Sequence, residues 1–424
     1  MTPFARIARS SAAFFGSNMA RAAIGFGLSF LLARSLGAER FGRWIFCTAW
    51  ASTLTVVADL GLGVLLTRDA ARPGADAGRL ASGALVLRLT LVVPLAALLY
   101  AGAGRLSSDA ETATALRMAA LLGASGAVYG CFGALYRSQV RWLPAVLAVE
   151  TGWLTIQLAA AGWMAHAGVS VAALIALAVA VQCAQIATAV VCWPYVFGDR
   201  RRPRWPATDS LLPLARRALP FAAAGLVANV QTRIGPLMLG YLSTQADVGF
   251  FAAASRFGVV ARLAPQAVFA GALPVLSHEH AHDRAAAERV FHSFDRVLLA
   301  ASAAMAAASA LFAAPALRLV YGSPFVPAAP ALMWVGVGMI PLLSNSGRKV
   351  FLYASGGEAL VVRWSSVALA LQVCVGALLM PVYGSSGAAI GVAIGEAAIW
   401  WPLRHAATGR QVGHFRAFVP SWPK

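Results

Sequence analysis

The chain has 424 residues, of which 59% are hydrophobic and 12% charged, with a formal net charge of +18; its mean hydropathy is +0.71. A soluble domain carries about 25% charged residues, and one core of this size cannot hide so much apolar surface. The composition excludes a soluble enzyme, a secreted disulfide scaffold and a disordered chain, and apolar stretches of about 20 residues recur from end to end, so the fold class is all-α, a polytopic membrane protein.

The hydropathy pattern predicts twelve transmembrane helices at 11–33, 44–66, 81–103, 113–136, 143–165, 169–197, 217–241, 247–276, 294–318, 326–347, 360–382 and 386–404. Twelve spans use roughly 250 residues and leave no room for a sizeable extramembrane domain. Arg6 and Arg9 precede the first apolar run as in a signal peptide. The run is too long for one and holds Arg21 inside it, so it is read as a retained first span. That span carries Asn18, Arg21, Gly25 and Gly27. Asp59 lies in the second span, Arg88 in the third, Arg117 in the fourth and Glu150 in the fifth. The longest inner loop holds the run Arg200-Arg201-Arg202-Pro203-Arg204, a topology determinant suited to anionic lipid heads rather than to nucleic acid. It divides the chain into an N-terminal six-helix lobe (1–198), a cytoplasmic linker (199–216) and a C-terminal six-helix lobe with a short cytoplasmic tail (217–424).

The seventh span carries Asn229, Arg233 and then Gly235-Pro236, a weak echo of the first. Matched interruptions in two halves are the sequence pointer to a transport site between repeats. Arg256 and Arg262 lie in the eighth span, Arg318 near the end of the ninth, and Glu396 in the last beside a Gly387, Gly391, Gly395 stripe that suits close helix packing. His278-Glu279-His280-Ala281-His282 fits the zinc-protease spacing H-E-x-x-H. It sits at the cytoplasmic end of a span with no third ligand in view, and is read as a solvated loop. The five cysteines all fall in apolar segments and are read as buried small hydrophobes. No ATP motif, nucleotide fingerprint or nucleophile elbow is found, and no cofactor, metal or catalytic residue is expected.

With the N-terminus inside, 23 of the 34 Lys and Arg fall on inner segments and four (Arg34, Arg40, Arg43, Arg105) on outer loops. This bias puts both termini in the cytoplasm. The first outer loop, with three of the four exceptions, violates the rule. The other seven lie within spans. Arg88, Arg117 and Arg318 are close enough to span ends to snorkel. Arg21, Arg233, Arg256 and Arg262 are deeper, and a mid-span charge costs about 2.5–3.5 kcal/mol on insertion scales. Arginine cannot escape by losing its proton. These four therefore need water, a counter-charge or an anionic ligand. Asp59, Glu150 and Glu396 sit within spans and are read as charge-balancing ion-pair partners or as ion-coupling residues. Deep arginines outnumber deep acids, which favours an anionic substrate such as phosphate.

Several motifs in order resemble one family. They are Ala33-Arg34-Ser35-Leu36-Gly37 with Phe41-Gly42; Ala58-Asp59-Leu60-Gly61-Leu62 with Thr67-Arg68-Asp69; Leu219-Pro220-Phe221; Val248-Gly249-Phe250-Phe251-Ala252; Leu273-Pro274-Val275-Leu276-Ser277; and Pro381-Val382-Tyr383-Gly384 with Gly387-Ala388-Ala389. Together they resemble the polysaccharide (O-antigen, exopolysaccharide, Wzx-type) flippases of the multidrug/oligosaccharidyl-lipid/polysaccharide exporter superfamily. The resemblance implies two six-helix lobes around a central cationic cavity in the bacterial inner membrane. It implies a polyprenyl-pyrophosphate-linked oligosaccharide carried by alternating access, membrane lipids as surroundings, and a polysaccharide polymerase and other assembly proteins as partners. Arg21 matches the family's cavity arginine that holds pyrophosphate; Arg233, Arg256, Arg262, Asn18 and Asn229 complete the expected substrate site. Relatives often read Arg-x-Asp in the seventh span, where this chain has Arg233-Ile234-Gly235. The alternatives are a multidrug or cation antiporter of the same superfamily, which needs an acidic cavity; a lipid II flippase, whose relatives usually have two further spans; and a membrane polysaccharide polymerase, ligase or glycosyltransferase, which needs a long outer loop or acidic catalytic residues near the outer surface. Every outer loop here is short.

Overall fold

The computed structural model describes residues 3–72, 74–107, 109–139, 141–198, 211–260, 262, 284–354 and 357–407. Among them the structure is helical throughout, with no strand. In chain order the helices are α1 (Pro3–Asp59), α2 (Leu62–Ala70), α3 (Ala77–Leu106), α4 (Ala110–Arg137), α5 (Leu143–His166), α6 (Val171–Phe197) and α7 (Leu211–Leu242). Then follow α8 (residues 245–260), α9 (Arg284–Tyr321), a short 3-10 helix (Ser323–Ala328), α10 (Ala329–Ala354) and α11 (Glu358–Ala407). Eight helical stretches among the described residues are long and apolar enough to cross a membrane, which makes the chain a multi-pass membrane protein.

Two of the long helices are folded back on themselves at a glycine. In α11, Gly384 has φ +50° and ψ −126°. Beyond it, Gly387 abuts Leu379, Gly391 abuts Gln372 and Gly376, and Gly395 abuts Ala368. Rising numbers meet falling numbers, so the two arms are antiparallel. The Gly387, Gly391, Gly395 stripe lets their backbones touch, as small residues do at membrane helix interfaces. In α1 the break is Gly37, with φ +73° and ψ 175°. The arm before it runs along α5: Arg21 meets Glu150, Gly27 meets Leu158 and Leu31 meets Gly162. The arm after it runs along α4: Arg43 meets Glu111 and Leu54 meets Gly123. The spans expected at 11–33 and 44–66 are thus separated by one glycine rather than by a ten-residue loop. Residues 38–43 stay helical because Ala38, Glu39 and Arg40 are good helix formers and Arg43 pairs with Glu39 one turn back (3.3 Å).

The chain divides into two compact units, 1–233 and 234–424. In the first, α4 is the central helix. It packs antiparallel to α3, where Arg88 donates to the Ala127 carbonyl (2.9 Å) and Cys131 faces the Ala81 carbonyl. It packs parallel to α6, where Ser125 bonds Gln182 (3.0 Å). Near the ends of α4 and α6 an aromatic knot of Phe132, Tyr136, Trp193 and Phe197 is stacked edge to face, a geometry that adds about 0.5–1.5 kcal/mol per pair beyond area burial. The start of α7 belongs to this unit. Leu214 and Ala218 pack on Leu62 and Leu65, and Arg217 pairs with buried Asp69. In the second unit α10 is central: antiparallel to α9 through Ser309 against Gly336 and parallel to the last arm of α11 through Gly338 against Ala393. The unit boundary lies inside α7.

Arg40 and Arg43, which the sequence reading assigns to the first outer loop, sit in a cluster of acidic side chains. Arg43 pairs with Glu39, Asp109 and Glu111. Arg40 donates to the Val169 carbonyl (2.8 Å) and approaches Glu111 (4.0 Å). Asp109 also caps α4 through Thr112. The hydrogen bond from the Thr112 hydroxyl, more than the charge of Arg43, holds its carboxyl below the ordinary 3.8.

Arg88 corrects another expectation. It does not snorkel; it is 2% exposed. Its guanidinium pairs with Asp59 across α3 and α1, and Gly130 leaves the space beside it. Asp59 also accepts the Gly63 N–H (3.1 Å) where α1 breaks into α2, so one carboxylate closes a helix break and neutralises a buried cation.

Candidate functional site

The deep charged residues fall into separate clusters, each within one unit. The first is built on Glu150 of α5, whose carboxylate is almost fully buried. Arg21 of α1 donates to one oxygen (3.0 Å). Tyr129 of α4 donates to the other (3.0 Å), and Arg137 of α4 lies 3.6 Å from it. Gly133 sits one turn before Arg137, and its missing side chain leaves room for the guanidinium to fold back along the helix. The cluster holds two positive charges and one negative. The Arg21 side chain is 44% exposed, so its fork of N–H donors is open on one side.

The second cluster lies on one face of α7. Arg233 donates to the Asn229 side-chain oxygen (2.9 Å), to the Asn229 carbonyl (3.1 Å) and to the Thr232 hydroxyl (3.2 Å). Asn229 itself donates to the Gly225 carbonyl (2.7 Å). The i, i+4 spacing of Asn229 and Arg233 makes this contact local, as helix geometry dictates. It also fixes the guanidinium without using a carboxylate.

In the second unit, Arg256 on α8 and the helical Arg262 are half-buried. Arg262 donates to the Gly258 carbonyl (3.1 Å) and lies within Coulombic reach of Glu396. Arg256 lies within Coulombic reach of Tyr321. Glu396 accepts from Asn345 (2.8 Å) and pairs with Lys349 (3.6 Å). One turn along α10, Arg348 is 1% exposed. It pairs with Asp295 (3.0 Å), donates to the Trp400 carbonyl (3.3 Å) and lies over the Trp400 ring. Ser344 donates to the same aspartate (2.6 Å).

The structure thus brings together Arg21 with Glu150, Asn229 with Arg233, and Arg262 with the neighbourhood of Glu396. Asp59 goes to Arg88 instead of to a deep arginine. The Asn18 side chain, the Arg200–Arg204 run, the Leu273–Ser277 motif and the His278–His282 segment lie outside the described residues. The sequence reading missed Tyr129, Arg137, Asp295, Asn345, Arg348 and Lys349 as members of buried networks. Arg137, Arg348 and Lys349 were counted as inner-loop charges, because hydropathy ends a span at the first cation whether or not its head is buried. No sequence signal could have found them, since Asp59 with Arg88 and Asp295 with Arg348 each join two different helices.

Comparison with solved structures places the fold. The structure is similar to an inward-facing multidrug resistance MATE family transporter of the MOP superfamily, with a TM-score of 0.72 and 15% identity over 91% of this chain and 94% of that one. It is equally similar to the lipid II flippase MurJ in an inward closed conformation, with a TM-score of 0.72 and 13% identity over 94% and 87%. A MOP superfamily transporter from Pyrococcus furiosus, whose description reports reversed polarity of the binding pocket, gives a TM-score of 0.62 and 14% identity over 96% and 95%. No curated protein sequence matches significantly. The model of the family described as polysaccharide biosynthesis protein matches residues 7–279, more than half of the chain, and the chain belongs to that family.

Proposed function

We propose that this protein is a flippase that moves a polyprenyl-pyrophosphate-linked oligosaccharide from the cytoplasmic to the outer leaflet of a bacterial inner membrane, by alternating access through a hydrated, cationic cavity. Membership of the polysaccharide biosynthesis family supports the pathway, and the shared fold supports transport rather than catalysis. One observation carries the choice of an anionic cargo. Arg233, Arg256 and Arg262 have no carboxylate within ion-pair distance among the described residues, whereas Arg88 and Arg348 do. A guanidinium inside a membrane that lacks a carboxylate faces the bundle interior or a water-filled cavity and leans on carbonyl groups, as Arg233 and Arg262 do; its remaining donors suit phosphate, which arginine binds through a bidentate fork. Arg21 adds an exposed guanidinium already oriented by Glu150. The oligosaccharide needs a wet path across about 30 Å of hydrocarbon, while its lipid tail stays in the bilayer.

In a deletion strain complemented with variants, Arg21→Ala and Arg233→Ala abolish surface polysaccharide, and lipid-linked repeat units accumulate inside, with the protein still present in the membrane. Wild-type surface polysaccharide in both variants refutes the site.

A further inference from the structure

Asp69 is a buried carboxylate that none of the deep arginine clusters uses. Leu62, Leu65, Leu66 and Asp69 share the buried face of α2, in the i, i+3, i+4, i+7 pattern that an amphipathic helix turns inward. Both carboxylate oxygens meet cations. Arg68 (3.1 Å) and Arg72 (3.9 Å) approach one, and Arg217 of α7 pairs with the other. The Arg72 N–H donates to the Asp69 carbonyl (3.3 Å), so a closed turn after α2 keeps this arginine beside the carboxylate.

Among the described residues, three guanidinium groups share this one carboxylate, an excess of two positive charges. Their heads are not enclosed: the Arg72 side chain is 63% exposed and that of Arg217 51%. Chain position sets the depth of the cluster. Arg72 lies just before α3, a candidate membrane span that begins at Ala77, so the cluster sits at a membrane boundary. On α7, Leu212 and Leu219 are exposed and share a stripe with exposed Arg216 between them, since residues three and four apart are neighbours on a helix. Exposed leucines beside guanidinium groups suit the border between hydrocarbon and lipid heads.

We infer that Arg68, Arg72 and Arg217 form a site for the phosphodiester head of an anionic phospholipid, with its acyl chains along the exposed leucines of α7. Basic clusters beside membrane helices attract such heads, and guanidinium groups bind phosphate oxygens through paired N–H donors. An excess of two charges matches diphosphatidylglycerol, which carries two phosphates, better than a lipid with one. A bound head bridges α2 and α7 and reinforces the packing of Leu214 and Ala218 on Leu62 and Leu65. Because α7 leads to the boundary between the units at Arg233, the lipid fixes the root of the helix that carries the chain from one to the other. The site goes beyond the flippase reading and does not depend on what is transported.

The test titrates the full-length protein in detergent with phosphatidylcholine, phosphatidylglycerol, diphosphatidylglycerol or inorganic phosphate. Bound lipid is counted by native mass spectrometry, and hydrogen exchange is followed at residues 211–219. Both anionic lipids are expected to bind more tightly than phosphatidylcholine, diphosphatidylglycerol the more tightly of the two, and to slow exchange at 211–219. Arg72→Gln, which leaves the Arg217–Asp69 pair in place, weakens binding about fivefold, the scale of one arginine at a lipid surface. Arg105→Gln, in the last turn of α3, leaves it unchanged and controls for general attraction to positive charge. Thermal melting checks that both variants fold, and the wild-type exchange pattern stands independently of them. Equal weakening by Arg105→Gln, unchanged binding in Arg72→Gln, or phosphatidylcholine slowing exchange as much as the anionic lipids overturns the site. The same slowing by inorganic phosphate overturns the choice of a lipid as its occupant.

Discussion

Arginines within the membrane have two fates in this protein, and burial separates them. Arg88 and Arg348 are fully enclosed and each meets an aspartate and a backbone carbonyl. Arg21 and Arg233 keep an open side. Depth along a span predicted the second group, because distance from a span end is written in the chain. It misjudged Arg88, because its partner Asp59 lies on another helix, and sequence spacing holds no information about lateral neighbours. Removing one member of a fully buried pair costs about 3–5 kcal/mol; Asp59 is 36% exposed, so the loss of Arg88 falls below that range but also removes its buried bond to the Ala127 carbonyl. Arg88→Met is therefore expected to lower the melting temperature in detergent strongly, and Arg88→Met with Asp59→Leu to recover much of the loss. A double variant no more stable than the single one would show that the pair is not the source. Glu150 is different again. Two arginines and a tyrosine converge on it, and nothing in the spacing of Arg21, Tyr129, Arg137 and Glu150 announced that meeting.

At the scale of the helix, glycine decides the architecture. Hydropathy located the apolar segments on either side of Gly37 and Gly384, where the helices break. It expected loops between them. The turns are instead made by single residues in backbone conformations that only glycine adopts without strain. Gly384 has a second constraint: the Asp247 carboxylate fills the space where a side chain would begin, and accepts the Ser385 N–H (3.0 Å). Gly384→Ala combines a positive φ, which costs about 1–3 kcal/mol for other residues, with displacement of that cap. A fall in the melting temperature and faster hydrogen exchange at the start of the last arm are expected. Unchanged exchange there would mean that the turn is held by the packing of the arms alone. The Gly387, Gly391, Gly395 stripe, legible as a packing motif, serves this same hairpin. Its partner could not be named from sequence, since the repeat of small residues fixes a face and not what covers it.

For the whole molecule, composition alone identified a polytopic helical membrane protein, and ordered motifs led to the family that residues 7–279 match. The division into units was less legible. A basic loop at 199–204 is conspicuous in the chain, yet α7 remains attached to the first unit up to Arg233. The reason is the docking of Leu214, Arg217 and Ala218 on α2, a matter of side-chain fit. Substrate choice is written in neither the hydropathy nor the fold, since MATE and MurJ structures share this architecture equally. The proposed choice of an anionic cargo rests on the sign of the charge that the deep arginines present. The most direct test is translocation in proteoliposomes holding only this protein and a fluorescent polyprenyl-pyrophosphate oligosaccharide, with the exposed fraction read by a membrane-impermeant quencher. The account predicts that wild-type protein exchanges the lipid between leaflets and that Arg21→Ala and Arg233→Ala do so no faster than protein-free vesicles. Wild-type vesicles without exchange, or variants as fast as wild type, would contradict it.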